Sequence, residues 1–204
     1  MGERPAGRAA TLRAPRGASL RRRGERGAAL VEAVILMPVV LLVVFGIVEF
    51  SSAYHDASVT SDASRAGGRI ASAQARNPEY ALNAAESVAA ALQTLPADAP
   101  QEMWIYKANS DGYPGTGDGF DTCAVDCIRY VWDAAADDWD YDSPSGGGWD
   151  AEDHQVCSEP FDQIGVYVKI RHEFVTNLFG ATIDLDDHSV FRFEPTPSAV
   201  CSTS

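Results

Sequence analysis

No internal repeat runs through these 204 residues, and the usual marks of a catalytic or metal-binding protein are missing. The four histidines, His55, His154, His172 and His188, are scattered, with no nucleophile at useful spacing from any of them. Ser/His/Asp combinations can be drawn from any acidic sequence, so they carry no weight here. No histidine pair stands downstream of Cys123-x-x-x-Cys127 at the spacing a zinc site uses. Asp111, Asp118 and Asp121 with their glycines, and Asp184, Asp186 and Asp187, offer oxygens to calcium, but neither group matches an EF-hand loop. Both read as solvated acidic loops. The expectation is a protein without catalytic residues, bound metal or cofactor.

Positive charge is also scarce past Arg26. Residues 1–27 hold eight arginines against two glutamates, a net +6, which leaves −19 for the rest of a chain whose formal charge is −13. A chain divided this way faces two environments. A basic arm can bind nucleic acid, but this one adjoins an apolar run, Ala28 to Val48, of 21 residues. As a helix that run covers roughly 31 Å, close to the thickness of a bilayer's hydrocarbon layer. Arginines beside such a span mark the cytoplasmic side, so residues 1–27 read as a basic cytoplasmic leader, residues 49–204 as extracytoplasmic, and no nucleic-acid partner is expected. A secretory signal peptide is the competing reading. Its apolar core is shorter, and Ser51-Ser52-Ala53 is only a weak cleavage site, so length favours a retained span.

Composition and periodicity predict an α+β architecture. The leader is Arg/Gly/Ala/Pro-rich and reads as disordered. One helix is expected from Ala28 to about Ala75, with Pro38 as a kink that a membrane helix tolerates. Its continuation over residues 49–76 carries a small-residue face, Ala53, Ala57, Ser61, Ser64 or Arg65, then Ala71 and Ala75. That face suits close packing on its own domain or on other copies. Gly67-Gly68 weakens the helix by about 1 kcal/mol per glycine. Asn77 reads as an N-cap and Pro78 as the first residue of a second helix running to about Thr94, with Ala81, Ala84, Ala85, Val88, Leu92 and Leu95 as its apolar stripe. Four strands follow within an outer domain, 77–204: Glu102–Ala108, Asp126–Asp133 with Ile128, Tyr130 and Trp132 on one face, Gln163–Phe174 with Ile164, Val166, Val168 and Ile170 buried, and Ser189–Glu194. Together these give a long transmembrane helix continuing outward, a second helix, and an antiparallel sheet of about four strands. Residues 109–121 and 134–155 read as loops, the second longer than loops usually are. Trp139 and Trp149 lie in it and are the candidate adhesive contacts. Trp104 and Trp132 read as core.

All four cysteines fall on the outer side, where an even count points to disulfides rather than metal. If the last strand lies antiparallel to Gln163–Phe174, its end returns beside the other's start and brings Cys201 to Cys157. Cys123 and Cys127 can then bridge if the turn between them bends back, since their Cα atoms must come within about 7 Å. Cys127–Cys157 is the alternative.

Glu32 is the anomaly of the apolar run, because a lone carboxylate in lipid costs several kcal/mol. Cleavage after Gly27 would make Ala28 the new N-terminus and Glu32 the fifth residue. A neighbouring subunit shifted along the helix axis could then set its Glu32 against that amine, each charge compensating the other in a low dielectric. Glu49, at the outer edge of the span, reads as a solvated or helix-pairing carboxylate.

Gly27 followed by four small or apolar residues and Glu32 resembles the type IV prepilin processing motif. The wider stretch GAALVEAVILMPVVLLVVFGIVEF, with Pro38 in mid-span and Phe45-Gly46 leading to Glu49-Phe50, is similar to the N-terminus of TadE-like and TadG-like proteins, minor pseudopilins of tight-adherence (Tad, type IVc) pili. Ser64–Arg69 (SRAGGR) continues the likeness over roughly residues 24–76, and Arg192-Phe193-Glu194-Pro195 resembles the family's close. Ala33 departs from it, standing where an aromatic is common. The resemblance implies a pilin-like fold and cleavage between Gly27 and Ala28 by a prepilin peptidase. It also implies partners: a major pilin, other minor pseudopilins and a membrane assembly platform, in the service of adhesion. An uncleaved single-pass protein with an outward binding domain is the alternative, and an exported hydrolase a third reading.

Overall fold

The computed structural model describes residues 22–142, 148–194 and 201, with side chains in the first helix from Gly27 onward. Residues 1–21 of the leader, and Pro195, lie outside the described residues. Helix α1 runs Arg22–Ala73, α2 Tyr80–Leu92, and the strands are β1 Pro100–Ala108, β2 Cys127–Asp133, β3 Asp138–Tyr141, β4 Gln163–Glu173 and β5 Thr182–Arg192. The chain forms two compact units, one ending at Gly46 and the other beginning at Ile47.

The described residues of the first unit, from Arg22 on, are helical, and from Gly27 their side chains are largely bare. Leu30, Val34 and Ile35 are 68%, 71% and 68% exposed. Pro38 sits inside the helix. A soluble helix would not leave every face apolar and bare, whereas lipid contacts all faces alike. Among the described residues, α1 is the one helix long and apolar enough to cross a membrane, with a mean hydropathy of 2.8 over its most apolar window. It begins at Arg22 rather than Ala28, so the Gly27–Ala28 bond lies within helix.

The second unit is a five-stranded antiparallel sheet in the order β3-β2-β1-β4-β5, with helices on one face. Alternation places the side chains. Met103 and Ile105 of β1 stand beside Val168 and Val166 of β4 and meet Ala84, Ala85, Val88 and Leu92 of α2, and Ala63 and Ala71 of α1, in the main core. Ile164, Val166, Val168 and Ile170 are fully buried there, as the period-two pattern requires. Trp104, Tyr106 and Tyr167 point to the other face. With Phe120, Cys123 and Cys127 they form a smaller aromatic core under the segment 109–126. Gly165 makes that possible: a Cβ there would strike the ring of Tyr106, whose hydroxyl donates to the Gly112 carbonyl at 2.8 Å.

Five differences from the sequence-based expectation have physical reasons. The sheet has a fifth strand, β3, inside what reads as loop. It holds one apolar inward residue among acids (DWDY), and it returns from β2 through a turn in which Asp137 takes φ 54° and Asp133 Oδ1 accepts the Ala135 N–H. β5 starts at Thr182, not Ser189, and ends at Arg192. Its early half, with Asp184, Asp186 and Asp187, is an edge strand whose charges face water and discourage pairing with other chains. Trp139 and Trp149 are buried, 7% and 1% exposed, and so are core rather than adhesive contacts. Pro78 precedes α2 instead of opening it. Asn77 Oδ1 accepts the Glu79 N–H in an Asx turn, and the helix starts at Tyr80. The packed face of α1 runs through Thr60, Ala63, Ser64, Gly67, Gly68, Ala71 and Ser72, about one residue round from Ala57, Ser61 and Arg65, and Arg65 is exposed.

Candidate functional site

Around the expected processing point, the helix offers little steric obstacle. A Cβ added at Gly27 would meet nothing within 4 Å. Glu32 lies on the same helical face as Ala28, Ile35 and Leu36, at spacings of four and three. It is exposed and has no hydrogen bond or ion pair among the described residues. Gly27, Ala28 and Glu32 thus stand together on one accessible stretch. The carboxylate that the apolar run cannot satisfy is left open to another molecule.

Glu49 is different. None of its surface is exposed. Its Oε2 accepts the Val175 N–H at 3.0 Å and its Oε1 accepts the Thr176 N–H. Two successive backbone amides just after β4 thus cradle one carboxylate, which would otherwise be a buried unpaired charge at the end of the apolar run. Two helical turns further, His172 Nδ1–H donates to Asp56 Oδ2 at 2.6 Å. The Ser189 hydroxyl donates to the Ser64 carbonyl at 2.6 Å and the Glu194 N–H to the Ser72 carbonyl at 3.4 Å. α1 is therefore fastened to the sheet at four levels. The sequence shows Glu49 only as an acid beyond the span. Its donors are 126 and 127 residues away, and the sole available hint is the seven-residue interval to Asp56 on one helix face.

The cysteines bridge as Cys123–Cys127, with Cα atoms 5.3 Å apart, and Cys157–Cys201, 5.6 Å apart. The first closes because Asp126 adopts φ 48° and its carbonyl accepts the Lys107 N–H at 2.8 Å, which bends the turn back onto β1. The second follows from the antiparallel pairing of β5 on β4, in which Arg192 lies opposite Gln163. Beside it, Arg76 donates to the Ala151 and Glu152 carbonyls at 3.3 and 2.8 Å, holding the segment that carries Cys157 against the end of α1.

That segment also supplies Trp149 and His154. Tyr80 Oη–H donates to the Trp149 carbonyl, and His154 Nδ1–H donates to the Ala75 carbonyl, both at 2.5 Å. His154 Nε2 is buried without a partner among the described residues, and burial holds the imidazole's pKa below its ordinary value. His55 is exposed and His188 stacks loosely on Tyr113 and Phe120. Among the described residues no group of three or more His, Cys, Asp or Glu side chains is arranged to hold a metal ion. Asp184 is not in a loop. It pairs with Arg171 at 3.1 Å and Lys169 at 3.5 Å across β4, and the Arg171 hydrogen bond holds its carboxyl below the usual carboxylate range.

Residues 27–69 match the model of the family described as TadE, TadE-like protein. The match begins at Gly27, includes Glu32 and Glu49, and ends at Arg69, before α2. It connects this segment with Tad pilus systems. No curated protein and no solved structure matches the chain.

Proposed function

We propose that this chain is a membrane-anchored minor pseudopilin, cut after Gly27 by a prepilin peptidase, that takes part in building Tad-type pili. Its partners would be the major pilin, other minor pseudopilins and the assembly platform. Its role would be structural rather than catalytic, with residues 49–204 outside the cytoplasm. The observation that carries this reading is a coincidence of position. The family match opens at Gly27, and five residues on stands an exposed, unpaired Glu32 in an otherwise apolar helix. A charge so placed disfavours an isolated subunit and favours one beside a neighbour's new amine.

One feature favours the uncleaved alternative. α1 is helical from Arg22 through the Gly27–Ala28 bond, and a peptidase needs its scissile bond out of helix. Gly24 and Gly27 lower that obstacle, each costing a helix about 1 kcal/mol relative to alanine. N-terminal sequencing of the native membrane protein separates the readings. The expected start is Ala28, and replacing Gly27 by a bulky residue is expected to preserve residues 1–27 and abolish assembly. A native protein that keeps its leader while pili form normally would overturn the proposal. Glu32→Ala is expected to insert and be cut normally but to assemble poorly.

A further inference from the structure

Among the described residues of the second unit from Phe50 onward, nine large apolar side chains are exposed, and they are not evenly spread. Leu82, Val125 and Tyr141 come from separate parts of the chain, which is ordinary for a protein surface, while Tyr54 follows Phe50 by one turn of α1. Val175, Leu178, Phe179 and Ile183 come from one stretch, Phe174–Ile183, and Phe50 touches it, its ring centroid 5.0 Å from that of Phe179. Val175 is 79% exposed, Leu178 53% and Phe179 48%. The stretch FVTNLFGATI contains no charge, although the residues after the leader carry −19 overall, and Glu173 and Asp184 bracket it.

We propose that the connection between β4 and β5, Phe174–Ala181, sits in the outer surface of the bilayer, its occupant being lipid. Position argues for lipid over a protein partner. Val48 is the last residue of the apolar run, and Glu49 and Phe50 follow directly. Glu49 holds Val175 and Thr176 by their amides, and Phe50 packs on Phe179. The connection is thereby fixed at the level of the chain where the apolar run ends, next in sequence to Ile47 and Val48, which are 65% and 54% exposed. Part of its backbone is fastened internally: the Phe174 N–H donates to the Ala181 carbonyl at 2.9 Å, and Gly180 takes φ 116°.

The inference rests on reading Ala28–Val48 as a span, not on cleavage or pilus building. The test uses the full chain in phosphatidylcholine vesicles, with Val175→Trp and Leu178→Trp compared with the parent protein and with Val125→Trp. Val125 is equally bare but adjoins the Cys127 end of β2, the opposite end of the sheet. The expected result is a shift of the new emission to shorter wavelength, and quenching by lipids nitroxide-labelled near the headgroup that exceeds the Val125→Trp level. Quenching no greater than that control, in protein that floats with the vesicles, overturns the proposal while leaving the span intact. Protein that fails to float removes the span and the proposal together. A benzophenone side chain at position 178 in native membranes is expected to attach to lipid. Attachment to a polypeptide instead would make the surface a subunit contact and overturn the assignment.

Discussion

Glu49 shows how a single acid can be satisfied by backbone alone. Both its oxygens accept main-chain N–H groups, so Glu49→Ala strands two donors and Glu49→Gln keeps one acceptor. Hydrogen exchange at Val175 and Thr176 is expected to rise sharply in Glu49→Ala and less in Glu49→Gln, with Met103 in the sheet centre unchanged. His154 gives the pH counterpart. Its Nδ1–H is committed to Ala75, so protonation adds a buried Nε2–H with no acceptor. Burial depresses the folded pKa below the ordinary 6.5, so the unfolded chain takes up the proton first. The stability this neutral ring contributes is present above about pH 6.5 and is lost as pH falls towards and through the folded value. Thermal unfolding of the second unit between pH 7.5 and 5 is expected to show a falling midpoint, flattened in His154→Gln.

At the scale of elements, α1 and β4 differ in how far their sequences can be read. β4 alternates strictly, so Ile164, Val166, Val168 and Ile170 announce the buried face, and α2 does so at helical spacing. α1 past the span is rich in small residues on several faces, so composition cannot say which one packs. Gly67 and Gly68, which look like weak points, mark the closest approach. A Cβ at Gly67 would lie 2.6 Å from Val88 Cγ2, and one at Gly68 would lie 2.5 Å from the Phe191 ring. Gly67→Ala sets a helix-propensity gain of about 1 kcal/mol against overpacking of about 1–3 kcal/mol. Val88 is β-branched and fully buried and cannot step aside, so a net loss of up to about 2 kcal/mol is expected in urea unfolding. β3 and the first half of β5 stay hidden for the opposite reason: their acids read as solvated loop, and only pairing with β2 and β4 makes them strands. The Cys157–Cys201 pair was legible because it needs only strand direction, whereas Cys123–Cys127 also required a turn that bends back, which the sequence left open. The Glu49 cradle was not, because it depends on where a turn 126 residues away comes to rest.

Across the whole molecule, the Cys157–Cys201 bridge closes a loop of 44 residues holding β4 and β5. By the chain-entropy argument, a paired Cys157→Ser and Cys201→Ser variant is expected to lose roughly 3–4 kcal/mol of the second unit's stability in denaturant titration. The same change in Cys123 and Cys127, which closes a far shorter loop, is expected to cost less. The four fastenings of α1, at Glu49, Asp56, Ser64 and Ser72, have a mechanical consequence. They are spread over roughly 34 Å of helix, at about 1.5 Å per residue. Tension drawn along the helix axis loads all four at once, in shear, whereas a sideways tug peels them singly, beginning at Glu49. An anchor built this way resists axial traction far better than bending.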